Sequence, residues 1–239
     1  MISLNTFLFV HGAFQGGWCW DQITPALQQK GHKVVAIDLP GSGEDVTPPQ
    51  DVSLKSYVKK VVSTIDKIDQ PVILVGHSMS GMVISQAAEE IPEKIKKLVY
   101  VCAFVPENGQ AVSDIASGGP KATLNEKDQT LTLIEEFIAE DMLNESSEED
   151  LRLFKRNIRP QPVQPFEDKV SLTNIRFGHV PSVYIETTKD RSIPIDLQRQ
   201  MYATRSFERI YTLDADHFPF YSRKKELVGC LLDIAATEK

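Results

Sequence analysis

The sequence predicts an α/β fold: a sheet of about six mostly parallel strands, helices on both faces, and a helical cap inserted after the fourth strand. Short continuous apolar runs alternate with helix-length segments over the first hundred residues. The alternation breaks between about residues 107 and 179, then resumes for two strands and a last helix. Parallel neighbours need crossover connections, so this alternation implies helices covering a parallel sheet.

The strand-like runs are Thr6–Val10, Val34–Ile37, Val72–Val75 and Leu98–Val101. Each is short, uninterrupted and bounded by Gly, Pro or charged residues, as strands buried on both faces are. Between them, Asp21–Lys30 reads as a helix ending at Gly31, a helix-stop glycine. Ser53–Asp69 gathers Leu54, Tyr57, Val58, Val61, Val62 and Ile65 on one helical face. Ser78–Glu90 carries Met82, Val83, Ile84 and Ala87 before Pro92 stops it.

Residues 107–179 show no strand signal. They hold helical stretches at Lys127–Met142 and Glu148–Asn157, then a Pro-rich passage, Pro160–Pro165. This insertion is too small to bury a core of its own easily, so it is expected to fold over the sheet as a lid. Residues 1–106 and 180–239 then form the main body and 107–179 the cap. Strand character returns at Val183–Glu186 and Arg209–Leu213, and Lys224–Ala236 is the closing helix.

The chain has 239 residues, 41% hydrophobic and 25% charged, ordinary for a globular protein. Its net charge of −7, with no basic stripe, argues against nucleic acid as a partner. The longest uncharged apolar run, Leu98–Val105, is far below the roughly 20 residues that cross a bilayer. The start, Met1-Ile2-Ser3-Leu4-Asn5, has no basic n-region and runs directly into a strand-like stretch, which is not the pattern of a secretory signal. Cys19, Cys102 and Cys230 have no metal-like spacing and read as free thiols in a reducing cytoplasm.

In open parallel sheets, ligands bind beyond the carboxyl ends of the strands. His11-Gly12-Ala13 ends the first strand, and Gly76-His77-Ser78-Met79-Ser80-Gly81 ends the third. Thr188-Lys189-Asp190 ends the fifth, and Asp214-Ala215-Asp216-His217 the sixth. A strand–serine–helix junction with small flanking residues lifts a hydroxyl above the sheet, usually as G-x-S-x-G. Here the last position is Ser80 with Gly81 behind it, which keeps the turn but crowds it slightly.

Ser78 is therefore the candidate nucleophile, and a serine needs a base. Of the five histidines, His32 and His179 precede strands and face the wrong rim. His77 adjoins the serine and points elsewhere, while His11 shapes the first loop. That leaves His217. Asp190, 27 residues before it, is the candidate acid, with Asp214, Asp216 and Glu107 as rivals. The N–H groups of Ala13 and Met79 are the candidate oxyanion donors. Gly41-Ser42-Gly43 reads as a plain turn, and no metal or cofactor motif is present.

Taken together, His11-Gly12-Ala13, Gly17-Trp18-Cys19-Trp20, Asp38–Gly43, Gly76–Met79, Thr188–Pro194 and Asp216-His217-Phe218-Pro219 resemble the plant methylesterase and hydroxynitrile lyase branch of the α/β-hydrolases. The likeness spans nearly the whole chain and is weakest in the cap. It implies the α/β-hydrolase fold and one of two activities: hydrolysis of small esters, often methyl esters, or release of cyanide from cyanohydrins. The lyases of that branch carry threonine after the first-strand histidine and lysine after the catalytic one. Gly12 and Phe218 stand there in this chain, which favours ester hydrolysis.

The expectation is thus a cytoplasmic serine carboxylesterase without cofactor, acting on a small-molecule ester through an acyl-enzyme at Ser78. A lyase using the same three residues, or a ligand-binding receptor of hydrolase shape, is the alternative. Neither nucleic acid nor membrane is expected as a partner, and a homodimer is entertained. Ile134, Phe137, Ile138 and Met142 of the cap, with Phe14 and Phe104 at the rim, are the candidate substrate-binding residues.

Overall fold

The computed structural model describes residues 4–237. Six strands, β1 (Thr6–Val10), β2 (Lys33–Ile37), β3 (Val72–His77), β4 (Ile95–Val101), β8 (Ser182–Thr187) and β9 (Arg209–Leu213), form one sheet in the order β2-β1-β3-β4-β8-β9. Every pairing within it is parallel. The central strands β1, β3 and β8 are buried at every residue, as parallel strands covered on both faces are. The outer strands β2 and β9 expose most of their residues on one side at least.

Helices α1 (Thr24–Gln29), α2 (Leu54–Ile65) and α3 (Ser80–Glu90) form the first crossovers. Gly31 closes α1 in the left-handed region at φ 88°, the conformation that favours glycine at a helix stop. Ser53 caps α2: its hydroxyl accepts the Ser56 N–H while the Ser56 hydroxyl accepts the Ser53 N–H. Leu54, Tyr57, Val58, Val61 and Ile65 are the buried face of α2, as the 3.6-residue spacing requires.

The inserted segment lies between β4 and β8, as expected, but it is not purely helical. It contains a second, three-stranded antiparallel sheet in the order β5-β6-β7: β5 (Ala122–Asn125), β6 (Thr130–Leu133) and β7 (Gln161–Pro162). The helix expected over Lys127–Met142 is accordingly corrected. Its first half is a turn and β6, and only a short 3-10 turn (Glu135–Phe137) and one helical turn (Ile138–Asp141) follow. Thr130-Leu131-Thr132-Leu133 alternates with period two and carries β-branched side chains, which suit a strand. The Asn125 side chain accepts the Lys127 and Asp128 N–H groups, closing the hairpin by an Asx-type turn. The helix at Glu148–Asn157 is as expected, capped by Ser147.

Val112, Leu133, Ile138, Met142, Leu143 and Phe154 of the insertion belong to the same apolar core as the sheet. The cap is therefore packed onto the body. No helix among the described residues is long and apolar enough to cross a membrane.

The start of α3 is the tightest junction. A Cβ on Gly76 would come within 2.9 Å of the Ser80 carbonyl oxygen, and one on Gly81 would overlap the backbone of Phe104. Gly81→Ala must therefore move backbone and is expected to cost roughly 1–3 kcal/mol, read as a lower urea midpoint at unchanged slope. An unchanged midpoint would show that α3 can shift freely.

Candidate active site

Ser78 follows β3 directly and sits at φ 54°, in the left-handed region, before α3 begins. Its own N–H donates to the Val101 carbonyl, and its carbonyl accepts N–H groups from Gly81 and Phe104. These bonds hold the strained turn, which costs of order 1–3 kcal/mol in isolation. The serine at the position usually glycine is part of the hold: the Ser80 hydroxyl donates to the His11 carbonyl in the loop after β1.

His217 and Asp190 come from the loops after β9 and β8. The Ser78 Oγ lies 2.9 Å from His217 Nε2, and His217 Nδ1 lies 2.7 Å from Asp190 Oδ2. Asp190 is buried, and its Oδ1 accepts the Ser192 and Ile193 N–H groups at 2.8 Å each. Its Oδ2 also accepts from the Thr187 hydroxyl (3.1 Å) and the Gln198 amide (3.3 Å). Such a carboxylate only accepts, so Nδ1 carries the ring proton and Nε2 is left to accept from the serine. The structure thus brings together the three residues selected from the sequence.

The rival acids lie elsewhere. Asp214 pairs with Lys189 at 3.0 Å. The Glu107 residue is exposed beyond β4. Asp216 is fully buried as a clamp: it accepts Phe218 N–H (3.0 Å) and Ser222 hydroxyl (2.7 Å) on one oxygen, Glu145 N–H (3.0 Å) and Ser146 hydroxyl (2.8 Å) on the other. It ties the cap to the loop that carries His217.

Among the described residues, the N–H groups of Ala13 and Met79 have no acceptor in the protein, and both residues line the same cavity as Ser78 and His217. The loop carrying Ala13 is built around His11. The buried His11 ring accepts the Leu39 N–H at Nε2 (3.0 Å) and donates from Nδ1 to the Gly12 carbonyl (2.7 Å). Burial pushes it down to about 4, so the ring is neutral at pH 7. Gly12 is required: a Cβ there would stand 2.9 Å from the Ser78 Cβ and 2.8 Å from His77 Nδ1.

His77 is a residue whose placement the sequence did not reveal. It is fully buried beneath His217, ring centroids 4.6 Å apart, among Trp20, Phe218 and Phe220. Its Nε2 lies 2.8 Å from the His217 carbonyl, which can only accept, so the proton is on Nε2. Nδ1 then accepts from the Gln15 amide at 3.4 Å. Burial, with His217 beside it, pushes the ring well below the usual histidine range and keeps it neutral. Gln198, which holds Asp190, was also missed; a polar residue on the buried face of Ile195–Tyr202 has no motif to announce it.

His77, Cys102 and His217 place possible ligand atoms within 4.8 Å of one another. The ring nitrogens of both histidines are already engaged in the hydrogen bonds above, so this group does not suit a metal ion.

The cavity above Ser78 has a volume of about 480 Å³. Of the expected substrate-binding residues, Phe14, Phe104 and Met142 lie on its wall. Ile134, Phe137 and Ile138 do not, and are corrected: in place of one continuous helix, Ile134 is extended, and only a 3-10 turn and a single helical turn follow it. Ile138 is core, and the Phe137 ring is covered by the Lys121 ammonium at 3.6 Å. Val112, Ala122, Leu131, Val163 and Phe166 supply the apolar wall instead.

The alpha/beta hydrolase family matches residues 7–229 of the chain. Methylesterase 7 of Arabidopsis thaliana is similar at 33% identity, over 96% of this chain and 95% of its own length. A chloroplastic protein of the same plant, provisionally named methylesterase 11, is 36% identical over 98% of this chain, and the match spans 65% of that protein's length. The chloroplastic name means that the relatives do not support the cytoplasmic expectation. The crystal structure of polyneuridine aldehyde esterase is similar at 28% identity with a TM-score of 0.85, covering 98% of this chain and 100% of that one.

Two outcomes follow from the buried histidines. In the unfolded chain His11 titrates near 6.5 and in the folded protein near 4, so unfolding takes up protons between those values. Stability falls as pH drops through that window, by roughly 3 kcal/mol for His11 alone, and His77 adds in the same direction. Unfolding at pH 5.5 should therefore bind about two protons from these rings; a flat stability curve from pH 6.5 to 4.5 would refute this. His77→Leu removes the donor to the His217 carbonyl and is expected to lower kcat about 10-fold or more with little change in KM. His77→Gln, which can still donate, should recover part of it. An equal rise in KM would mean that the ring shapes the cavity instead.

Proposed function

The chain belongs to the alpha/beta hydrolase family, in its methylesterase branch, and from that premise we propose that it hydrolyses a small carboxylic ester through an acyl-enzyme at Ser78. One observation carries the reading: the 2.9 Å contact between Ser78 Oγ and His217 Nε2 opens onto an apolar cavity with two unpartnered N–H groups on its wall.

His217 Nε2 takes the proton as Ser78 Oγ attacks the ester carbonyl, and Asp190 steadies the imidazolium. The oxygen that becomes negative is met by the N–H groups of Ala13 and Met79, each worth roughly 2.7–4 kcal/mol in such sites. Collapse of the tetrahedral intermediate breaks the ester C–O bond, and His217 returns the proton to the leaving alcohol. Water, activated by the same ring, then frees the acid from Ser78. A cavity of about 480 Å³ fits a molecule of small-drug size.

The lyase alternative finds less support. The position after His217 is Phe218, fully buried against His77, His217 and Phe154, and it offers no cation to a departing cyanide. A receptor reading has no use for a serine already bonded to its base.

A panel of aryl and alkyl esters tests the proposal. Hydrolysis is expected for several small esters and should fall by about 10³-fold or more in Ser78→Ala. A fluorophosphonate probe should mark Ser78 and no other residue. Turnover of mandelonitrile without ester hydrolysis would replace the reading with the lyase, and probe labelling elsewhere would remove it.

A further inference from the structure

The walls of the cavity are as informative for what they lack as for what they hold. Among the described residues that line it there is no lysine or arginine, and the one carboxylate is Glu167. Glu167 ends the short helix Gln164–Glu167 and is exposed, as are Ser113, Gly118 and Gly119 of the same lining, while Ala13, Met79 and Phe104 are buried. The carboxylate therefore belongs to the rim and Ser78 to the depth. One Glu167 oxygen accepts the Ser113 hydroxyl at 3.0 Å, and no ion pair holds Glu167 among the described residues. Lys169, two residues on, pairs with Asp114 at 3.7 Å, and Lys121, between the lining residues Pro120 and Ala122, sits over the Phe137 ring at 3.6 Å.

An anionic substrate entering this cavity would shed water against Phe14, Phe104, Leu131 and Met142 with no counter-ion to replace it. It would also pass a carboxylate of its own sign at the mouth, where low-dielectric walls concentrate the field. A cationic group at the far end of the substrate meets the opposite: an unpaired carboxylate oxygen, with a hydroxyl beside it.

We infer that this site selects esters whose remote end is uncharged or cationic and rejects those whose remote end is anionic, with Glu167 setting the preference. The inference rests on the esterase reading above and names its substrate class. Glu167 is a specificity residue at the rim; it takes no part in the chemistry at Ser78.

The test uses three matched aryl methyl esters, bearing a para trimethylammonium, tert-butyl or carboxylate group. In the full-length protein kcat/KM is expected to fall in that order, with the ammonium ester about 10-fold or more above the carboxylate ester. Glu167→Gln should shrink that ratio by about 3- to 5-fold, the size of an exposed ion-pair contribution. Raising salt to about 1 M should shrink it in the wild type as well. Glu167→Lys should reverse the order of the two charged esters, which guards against a variant that is merely inert. Equal ratios in wild type and Glu167→Gln, or a carboxylate ester turned over best, would overturn the inference while leaving the esterase intact. If none of the three is hydrolysed and the fluorophosphonate leaves Ser78 unmarked, the esterase reading falls, and the inference with it.

Discussion

The constraint on which the rest depends is the near-contact of two backbones where β3 gives way to α3. Only small residues at 76, 80 and 81 let the strand and helix approach this closely, and the approach forces Ser78 into the left-handed region. The hydroxyl is held up by backbone bonds to Val101, Gly81 and Phe104. Serine at position 80 does more than fit. Its hydroxyl joins the nucleophile's turn to the His11 carbonyl and so couples the turn to the loop bearing Ala13. Gly12 completes the coupling, since any side chain there would push into Ser78 and His77.

The second organising feature is the anchoring of the cap on the two loops that bear the acid and the base. Asp216 takes bonds from Glu145 and Ser146, the Ser192 hydroxyl donates to the Asp141 carbonyl, and Asn144 donates to the Lys189 carbonyl. Strand β7 adds a third tether, because Gln161 accepts the Phe14 N–H and Arg159 donates to the Phe14 carbonyl. The cap thus shares hydrogen bonds with the loops that bear Ala13, Asp190 and His217. The cavity wall and the geometry beneath it are parts of one network.

The site is also built to hold little charge beyond its own. His11 and His77 are kept neutral by burial, and each has both ring nitrogens occupied, which fixes a single tautomer. Among the described residues, the cavity wall offers no lysine or arginine to an anion. Charge that develops during the proposed reaction is met by fixed N–H groups of the backbone. These need no reorganisation and hold no product carboxylate by ion pairing.

The six strands of the main sheet, the helices between the first four of them and the three residues of the Ser78, His217 and Asp190 set were legible from the chain alone. A buried parallel strand must be apolar throughout, a tight strand–helix turn must be small-residue, and reactive groups must lie at strand ends. Those requirements act on residues close together in sequence. The cap was not legible in the same way. Its hairpin rests on a four-residue alternation, Thr130–Leu133, stabilised by pairing with β5 and by the Asn125 turn, and beyond it Ile134 is extended and the turns over Glu135–Asp141 are too short to align Ile134, Phe137 and Ile138 on one face. The bonds of His77, Gln198 and Asp216 join residues from 2 to 140 positions apart. Such pairings leave no periodic trace; only folding the chain decides which buried polar group meets which partner.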